Sequence, residues 1–498
     1  MSEPAAQALA ASGGKQATAE TASTSDDAAT AVISLYQKHS KIYPRSVTGR
    51  FVNWRWALVW ATQIVFYGLP WLQWNGRQAL LFDLVSRRFY IFGSVLYPQD
   101  FIFLTGLLVI SALSLFLFTA VAGRLWCGYA CPQTVYTEIF MWIERRIEGD
   151  RLARMKLDQS PWSLKKFGRK AAKQTAWIVL ALYTGFTFVG YFTPIRTLWA
   201  EAFTLGFGPW EWFWVNFYAF ATYGNAGFMR EQVCKYMCPY ARFQSAMFDR
   251  DTLVIGYDTE RGEPRGSRPR KSTIPPRERG LGDCIDCGLC VQVCPTGIDI
   301  RKGLQYECIG CAACVDVCDD VMDKMNYPRG LVRYATQNAL REHYTGKDIV
   351  RHALRPRVLV YAAILVAVTI ALLVSMATRS SFRVDVVRDR ASLARLVDEG
   401  RIENLYRLQI MNAAEQGQRY RVGVSGLPGL SLAQPIDVTL GAAEARWVTV
   451  AVRMEPQAAR QAGPGAHPMA FRIELRDDRS ASGWGAALNE KSTFVVPR

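Results

Sequence analysis

All twelve cysteines of this 498-residue chain fall in spaced motifs, and that spacing constrains the chain more than any other feature. Eight form two runs, Cys284, Cys287, Cys290 and Cys294 followed by Pro295, then Cys308, Cys311, Cys314 and Cys318. The other four form two Cys-x-x-x-Cys-Pro motifs, Cys127, Cys131, Pro132 and Cys234, Cys238, Pro239. Such spacing belongs to metal ligands and not to a disulfide framework. The ligand thiols belong in a compartment that keeps them reduced.

In the Cys-x2-Cys-x2-Cys-x3-Cys run, three thiolates wrap three corners of a cubane and the fourth ligates the neighbouring cluster. Cys284, Cys287, Cys290 and Cys318 are thus expected to hold one [4Fe-4S] cluster. Cys294, Cys308, Cys311 and Cys314 are expected to hold the second. Gly288, Gly297 and Gly310 permit the tight wrap of the backbone. Zinc is the competing occupant, but its sites often use histidine, and His39, His343, His352 and His467 all lie outside the runs. Two cubanes in one fold lie within tunnelling range, which favours electron transfer over a purely structural role.

Five segments are apolar enough to span a bilayer, which takes about 20 residues: 56–74, 101–122, 174–195, 212–229 and 358–378. Residues 79–97 mix apolar residues with Asp83, Arg87 and Arg88, and read as an interfacial or re-entrant piece. Residues 1–35 lack an apolar core and read as a disordered tail, not as a signal peptide. The domain reading is then a membrane domain over 36–250 and a flexible basic linker over 251–280. A dicluster ferredoxin-like domain over 281–330, a connector over 331–357, the fifth span and a final domain over 379–498 follow. Short alternating strands punctuated by Gly, Pro, Asn and Asp fill that last domain, the pattern of an all-β immunoglobulin-like sandwich. The fold class is an α-helical membrane protein with these two added domains.

The net charge of +16 accompanies basic loops flanking the spans, as the positive-inside rule requires. No nucleic-acid fold goes with it, so a nucleic-acid partner is excluded. The rule puts the N-terminus and the cluster loop in the cytoplasm of a multi-pass inner-membrane protein, with the C-terminal domain periplasmic. Alkaline phosphatase fused after Ser381 is expected to be active, and fused after Gly330 inactive.

Both Cys-x-x-x-Cys-Pro motifs then fall at cytoplasmic ends of spans and echo each other as a weak internal repeat. Cysteines at i and i+4 share a helix face, about 6 Å apart at Cβ. Paired thiolates suit the cuprous ion, and redox thiols are the alternative. The Pro after each pair ends or restarts a helix. Arg124 and Lys235 are expected to lower the thiol pKa values, and Met141, Met229 and Met237 add soft atoms. A lone membrane cysteine would be a small buried hydrophobe, but two repeated pairs favour metal or redox chemistry. Glu138 and Glu144, beside Arg145 and Arg146, read as a solvated helix face, and Glu201 and Glu211 as water-facing.

With these motifs in order, the chain resembles the FixG/RdxA/CcoG proteins, the cytochrome c oxidase accessory family, over nearly all its length beyond the first 30 residues. The resemblance implies a role in assembling cbb3-type oxidase, with oxidase assembly factors and copper-handling proteins as partners and an electron donor that is not specified. It implies a cupric reductase, in which Cys127, Cys131, Cys234 and Cys238 carry copper or its reduction and the clusters supply electrons. Cys318 departs from the ferredoxin pattern, being followed by Asp319 instead of Pro. The alternatives are a NapH-like subunit passing quinol electrons outward and a non-catalytic assembly scaffold.

Overall fold

The structure, a computed structural model, describes residues 41–269, 276–342, 352, 354–389, 394–476 and 483–497. The tail read over 1–35 and part of the basic linker lie outside these.

Helix α1 (Arg50–Gly68) ends just before Pro70. Its first amides have no partner within the helix; those of Phe51 and Val52 donate to the Asp316 carboxylate at 3.1 and 2.8 Å. Gly49 is required beside it, because a Cβ there would fall 2.3 Å from Asp316 Cγ. One carboxylate from the cluster domain therefore fixes the start of α1.

The segment read as interfacial or re-entrant is a three-stranded antiparallel meander, β1 (Leu80–Asp83), β2 (Arg88–Ile91) and β3 (Ser94–Leu96). Leu81 and Val95, in the first and third strands, are its buried apolar residues. Val95 and Tyr97 are buried against Met411 and Ala443, and the Tyr97 hydroxyl donates to the Asn412 carbonyl at 2.9 Å.

Helix α2 (Phe101–Ala122) follows, then the short α3 (Leu125–Tyr129) and α4 (Pro132–Glu148). Helix α5 (Leu164–Val189) opens with the Ser163 hydroxyl accepting from the Lys166 amide. It packs tightly on α6 (Pro209–Thr222): a Cβ on Gly185 would meet the Val215 carbonyl oxygen at 2.2 Å, so only glycine fits. Beyond α6 the chain continues through wide turns, Tyr223–Met229 and Val233–Met237, to α7 (Pro239–Met247).

The linker and connector read over 251–280 and 331–357 are in part structured. Strand β4 (Val254–Tyr257) pairs antiparallel with β5 (Val332–Ala335), enclosing both cysteine runs and helix α8 (Ala313–Met325). Arg261 Nε is 2.6 Å from Asp283, and Arg268 donates to the Tyr327 hydroxyl at 3.0 Å, so these basic residues belong to the cluster domain.

Helix α9 (Pro356–Ala377) runs beside α2, and a Cβ at Gly106 would lie 2.8 Å from Leu372. Among the described helices, α2 with its short lead-in and α9 are the two whose length and apolarity by themselves suffice to cross a membrane. The other three segments read as spans are helical, but α1 and α5 begin on basic residues and α6 has 14 residues.

The C-terminal domain is a two-sheet sandwich. Its strands are β6 (Phe382–Arg388), β7 (Ile402–Asn412), β8 (Gln418–Ser425), β9 (Leu430–Leu432), β10 (Ile436–Leu440), β11 (Ala445–Met454), β12 (Gly465–Arg476) and β13 (Trp484–Val496). One sheet has the order β9-β11-β7-β6, with Arg395–Leu396 added on β7, and the other β10-β8-β12-β13. Tyr406, Leu408, Tyr420, Val450, Phe471 and Phe494 fill the space between the sheets. Buried aromatics of this size dominate core energetics. Asp100, at the entry to α2, binds Arg379 at 2.7 Å and Arg383 at 3.0 Å, joining this domain to the helices.

Candidate metal centres

The two cysteine runs fold around two separate hollows. Cys284, Cys287, Cys290 and Cys318 line one, together with Tyr257 and Leu331. Cys294, Cys308, Cys311 and Cys314 line the other, with Cys290 at its edge. Each set takes its fourth thiol from the other run. Both loops use left-handed backbone at matching positions, Asp286 and Gly288 in the first, Gly310 and Ala312 in the second. Gly288 and Gly310 take this conformation without strain, whereas Asp286 and Ala312 do so as side-chain residues. Among the described residues no three His, Cys, Asp or Glu side chains close on a single ion. Thiols set around a hollow suit a polyatomic cubane, so the residues fit two [4Fe-4S] clusters.

The membrane-edge motifs share one backbone device. The Cys131 amide donates to the Trp126 carbonyl at 3.0 Å and the Cys238 amide to the Val233 carbonyl at 2.8 Å, the same five-residue closure. The second cysteine of each pair has extended backbone and precedes a helix with Pro at its first position, a favoured place for proline. The pair therefore does not share one α-helical face, as the i, i+4 reading supposed. Proline cannot continue the preceding turn and presses the residue before it into extended backbone.

The two motifs meet, and they meet at the second cluster site. Cys127 and Cys234 both pack against the buried group formed by Val293, Ile309, Cys311 and Val317. Gly128 lies so close to the cluster loop that a Cβ would be 2.8 Å from the Gly310 carbonyl and 2.9 Å from Cys311. Arg124 joins the pieces: its guanidinium donates to the Cys308 carbonyl at 3.3 Å, to Ser245 Oγ at 2.9 Å, and to the carbonyls of Tyr306 and Ala241. Tyr334 of β5 donates to the Gly310 carbonyl at 2.6 Å, holding the same loop from its other side.

Burial pushes the Cys127 thiol up to about 11; neighbouring Cys131 adds to this, while Gln244 and Arg124 pull the other way. Burial, with Cys131, Cys127 and Cys238 close by, pushes Cys234 up to about 12. Arg124 therefore does not lower these thiols below their ordinary value: desolvation outweighs its charge. The Cys127 thiol donates to Gln244 Oε1 at 3.4 Å, and Gln244 is fully buried. Met141 and Cys234 line one hollow, whereas Met237 is exposed.

Glu138 and Glu144 are not a solvated face. Glu138 pairs with the buried Arg55 at 3.4 Å. Glu144 is 1% exposed and binds Arg154 at 2.9 Å, Arg230 at 3.0 Å and Lys173 at 3.6 Å. Glu148, equally buried, binds Lys173 at 2.9 Å and Lys170 at 3.0 Å. This network ties α4, which begins at the first motif, to Arg230, which precedes the second. Sequence reasoning missed it, along with Gln244 and Tyr334; the basic cluster after α4 was the available signal for the network.

Three family models match this chain. Residues 229–337 match the family described as a 4Fe-4S dicluster domain. Residues 104–149 match a 4Fe-4S binding domain, and residues 372–497 the IG-like fold at the C-terminus of FixG. The nitrogen fixation protein FixG of Rhizobium meliloti is 38% identical over 429 residues, covering 80% of this chain and 82% of its own. Protein RdxB of Cereibacter sphaeroides is 40% identical over 417 residues, covering 82% and 86%. Protein RdxA of the same organism is 37% identical over 469 residues, covering 92% and 98%.

Proposed function

The chain belongs to the FixG family of iron–sulfur electron-transfer proteins, and on that premise we propose that it reduces Cu(II) to Cu(I) for the assembly of a cbb3-type cytochrome oxidase. One observation carries this reading: both Cys-x-x-x-Cys-Pro motifs come together against the loop of the second cluster site. In this reading the protein crosses the bacterial inner membrane five times, with the cysteine sites cytoplasmic and the sandwich periplasmic.

The [4Fe-4S] clusters, when bound, supply single electrons. The rest is the work of this chain's residues. Cys127, Cys131, Cys234 and Cys238 receive one copper ion as substrate, and each Cu(II) takes one electron to become Cu(I). Thiolates stabilise the softer cuprous ion, which favours the reduction and retains the product until it is passed on. The four thiols do not close on a point in the described structure, so copper draws them inward and displaces their protons. Gln244 orients Cys127, and Arg124 keeps the cluster loop against the motifs.

Copper stoichiometry tests this. Full-length protein prepared without oxygen is expected to bind cuprous ion, and the variant with all four cysteines changed to Ser is not. Equal copper binding by both would remove these cysteines from the copper site.

A further inference from the structure

A cavity of about 420 Å³ lies away from the cysteine hollows, between the start of α1, the middle of α4 and the cluster loop. Its wall carries Trp56 and Trp142, whose rings meet edge to face 6.4 Å apart, beside Val52 and Met141. Trp56 opens the first segment read as a span, so the aromatic wall stands where lipid meets water, the usual station of such rings. Arg55 lines the same space. It is 6% exposed, and its Nε has no partner, although Nη2 reaches Glu138 at 3.4 Å. That leaves the Arg55 guanidinium a donor to spare for a ligand oxygen. The far rim is Val293, Pro295 and Ala313, the chain neighbours of Cys294 and Cys314. Past the Arg55–Glu138 pair, a smaller hollow leads on to Cys234.

The cavity sets an aromatic wall, Trp56 and Trp142, opposite a polar one with Arg45, Arg145, Asp150 and Arg154, which suits a flat ring bearing oxygens. The surrounding arginines disfavour a bare metal cation. We propose that this cavity binds the ring of a membrane quinol, which is the electron source for the cupric reduction proposed above and rests on that reading. Oxidation of the quinol breaks two O–H bonds and releases quinone, two protons and two electrons. The electrons leave one at a time toward the Cys294–Cys314 side of the cavity and reduce two copper ions in turn. Glu138 receives the protons and passes them to cytoplasmic water, while Arg55 holds a ring oxygen.

The test uses the full chain with its clusters in lipid nanodiscs, titrated calorimetrically with decylubiquinone. Binding is expected to saturate near one per chain. Asn53→Trp, at an exposed position on the cavity lining, is expected to abolish it by filling the space. Arg55→Gln is expected to weaken it about tenfold, equivalent to about 1.4 kcal/mol. Iron content and cluster EPR are expected to stay unchanged in Asn53→Trp; should Arg55→Gln fail to fold, Asn53→Trp decides alone. Partitioning without saturation, or undiminished binding by Asn53→Trp, overturns the proposal. Asn53→Trp protein reduced with dithionite and then freed of it must still reduce Cu(II), while cupric reduction driven by decylubiquinol is lost. If unaltered protein reduced with dithionite and then freed of it forms no Cu(I), the copper reading fails and saturable quinone binding stands by itself.

Discussion

Glu144→Gln tests how the two membrane-edge motifs are held together. The carboxylate is 1% exposed and bound by three cations, Arg154, Arg230 and Lys173, at 2.9, 3.0 and 3.6 Å. Glutamine keeps the shape and one acceptor but removes the charge that compensates them. Breaking a buried pair from one side costs about 3–5 kcal/mol, because the remaining charge is left without compensation. At about 2–4 °C per kcal/mol for a domain of some 200 residues, the melting temperature should fall on the order of 10 °C. Burial alone would raise the Glu144 carboxyl, but Arg230, Arg154 and Lys173 more than offset it and hold it below its ordinary value. A depressed folded-state pKa gives stability that is present above the unfolded value, about 4.3, and lost as pH falls through the folded value. The unaltered protein should therefore lose stability in acid more steeply than the variant, with no difference in that slope near neutrality. Differential scanning fluorimetry at several pH values measures both effects. Copper binding should weaken as well, since Arg230 anchors the approach to Cys234. A variant melting within about 2 °C of the parent, with copper binding intact, would refute the claim that this network holds the motifs in place.

Three further outcomes follow from the geometry. Gly128→Ala should push the Gly310–Cys311 loop away from the first motif and slow electron passage to copper at full iron content, as read by stopped-flow absorbance; an unchanged rate would break the proposed contact path. Cys318→Ser should damage the cluster held with Cys284, and Cys294→Ser the one held with Cys308, as read by iron content and EPR; identical spectra from the two would show that the thiols are not exchanged between runs. Alkaline phosphatase fused after Ser381 should be active and fused after Gly330 inactive; the reverse would invert the proposed orientation.

The cysteine spacing carried far. It grouped the eight thiols that line the two hollows, because ligand sets are local and chemically unusual. The echo between the two Cys-x-x-x-Cys-Pro motifs has a structural counterpart in their shared five-residue closure. The i, i+4 geometry failed because Pro132 and Pro239 force the residue before them out of the helix, a constraint that acts on backbone and is stronger than helical spacing. The β4–β5 pair escaped notice because each strand has four residues and its partner lies on the far side of both cysteine runs. The meander escaped because its strands are only three or four residues long and sit beside Asp83, Arg87 and Arg88. The burial of Glu144 could not be read locally, since its cations come from α5, the short helix Arg151–Gln159 after α4 and the approach to the second motif. Charge beside charge along a helix looks solvated until the other elements are placed around it.

The central claim is that electrons pass from the cubanes to copper at Cys127, Cys131, Cys234 and Cys238. Its most direct test is a single turnover: protein reduced without oxygen and freed of reductant is mixed with chelated Cu(II), while cluster absorbance and Cu(I) formation are followed together. The unaltered chain should reoxidise its clusters with one Cu(I) formed per electron lost. The variant with all four cysteines changed to Ser should keep its cluster spectrum, stay reduced and form no Cu(I). Cupric reduction at the parental rate by that variant would contradict the account.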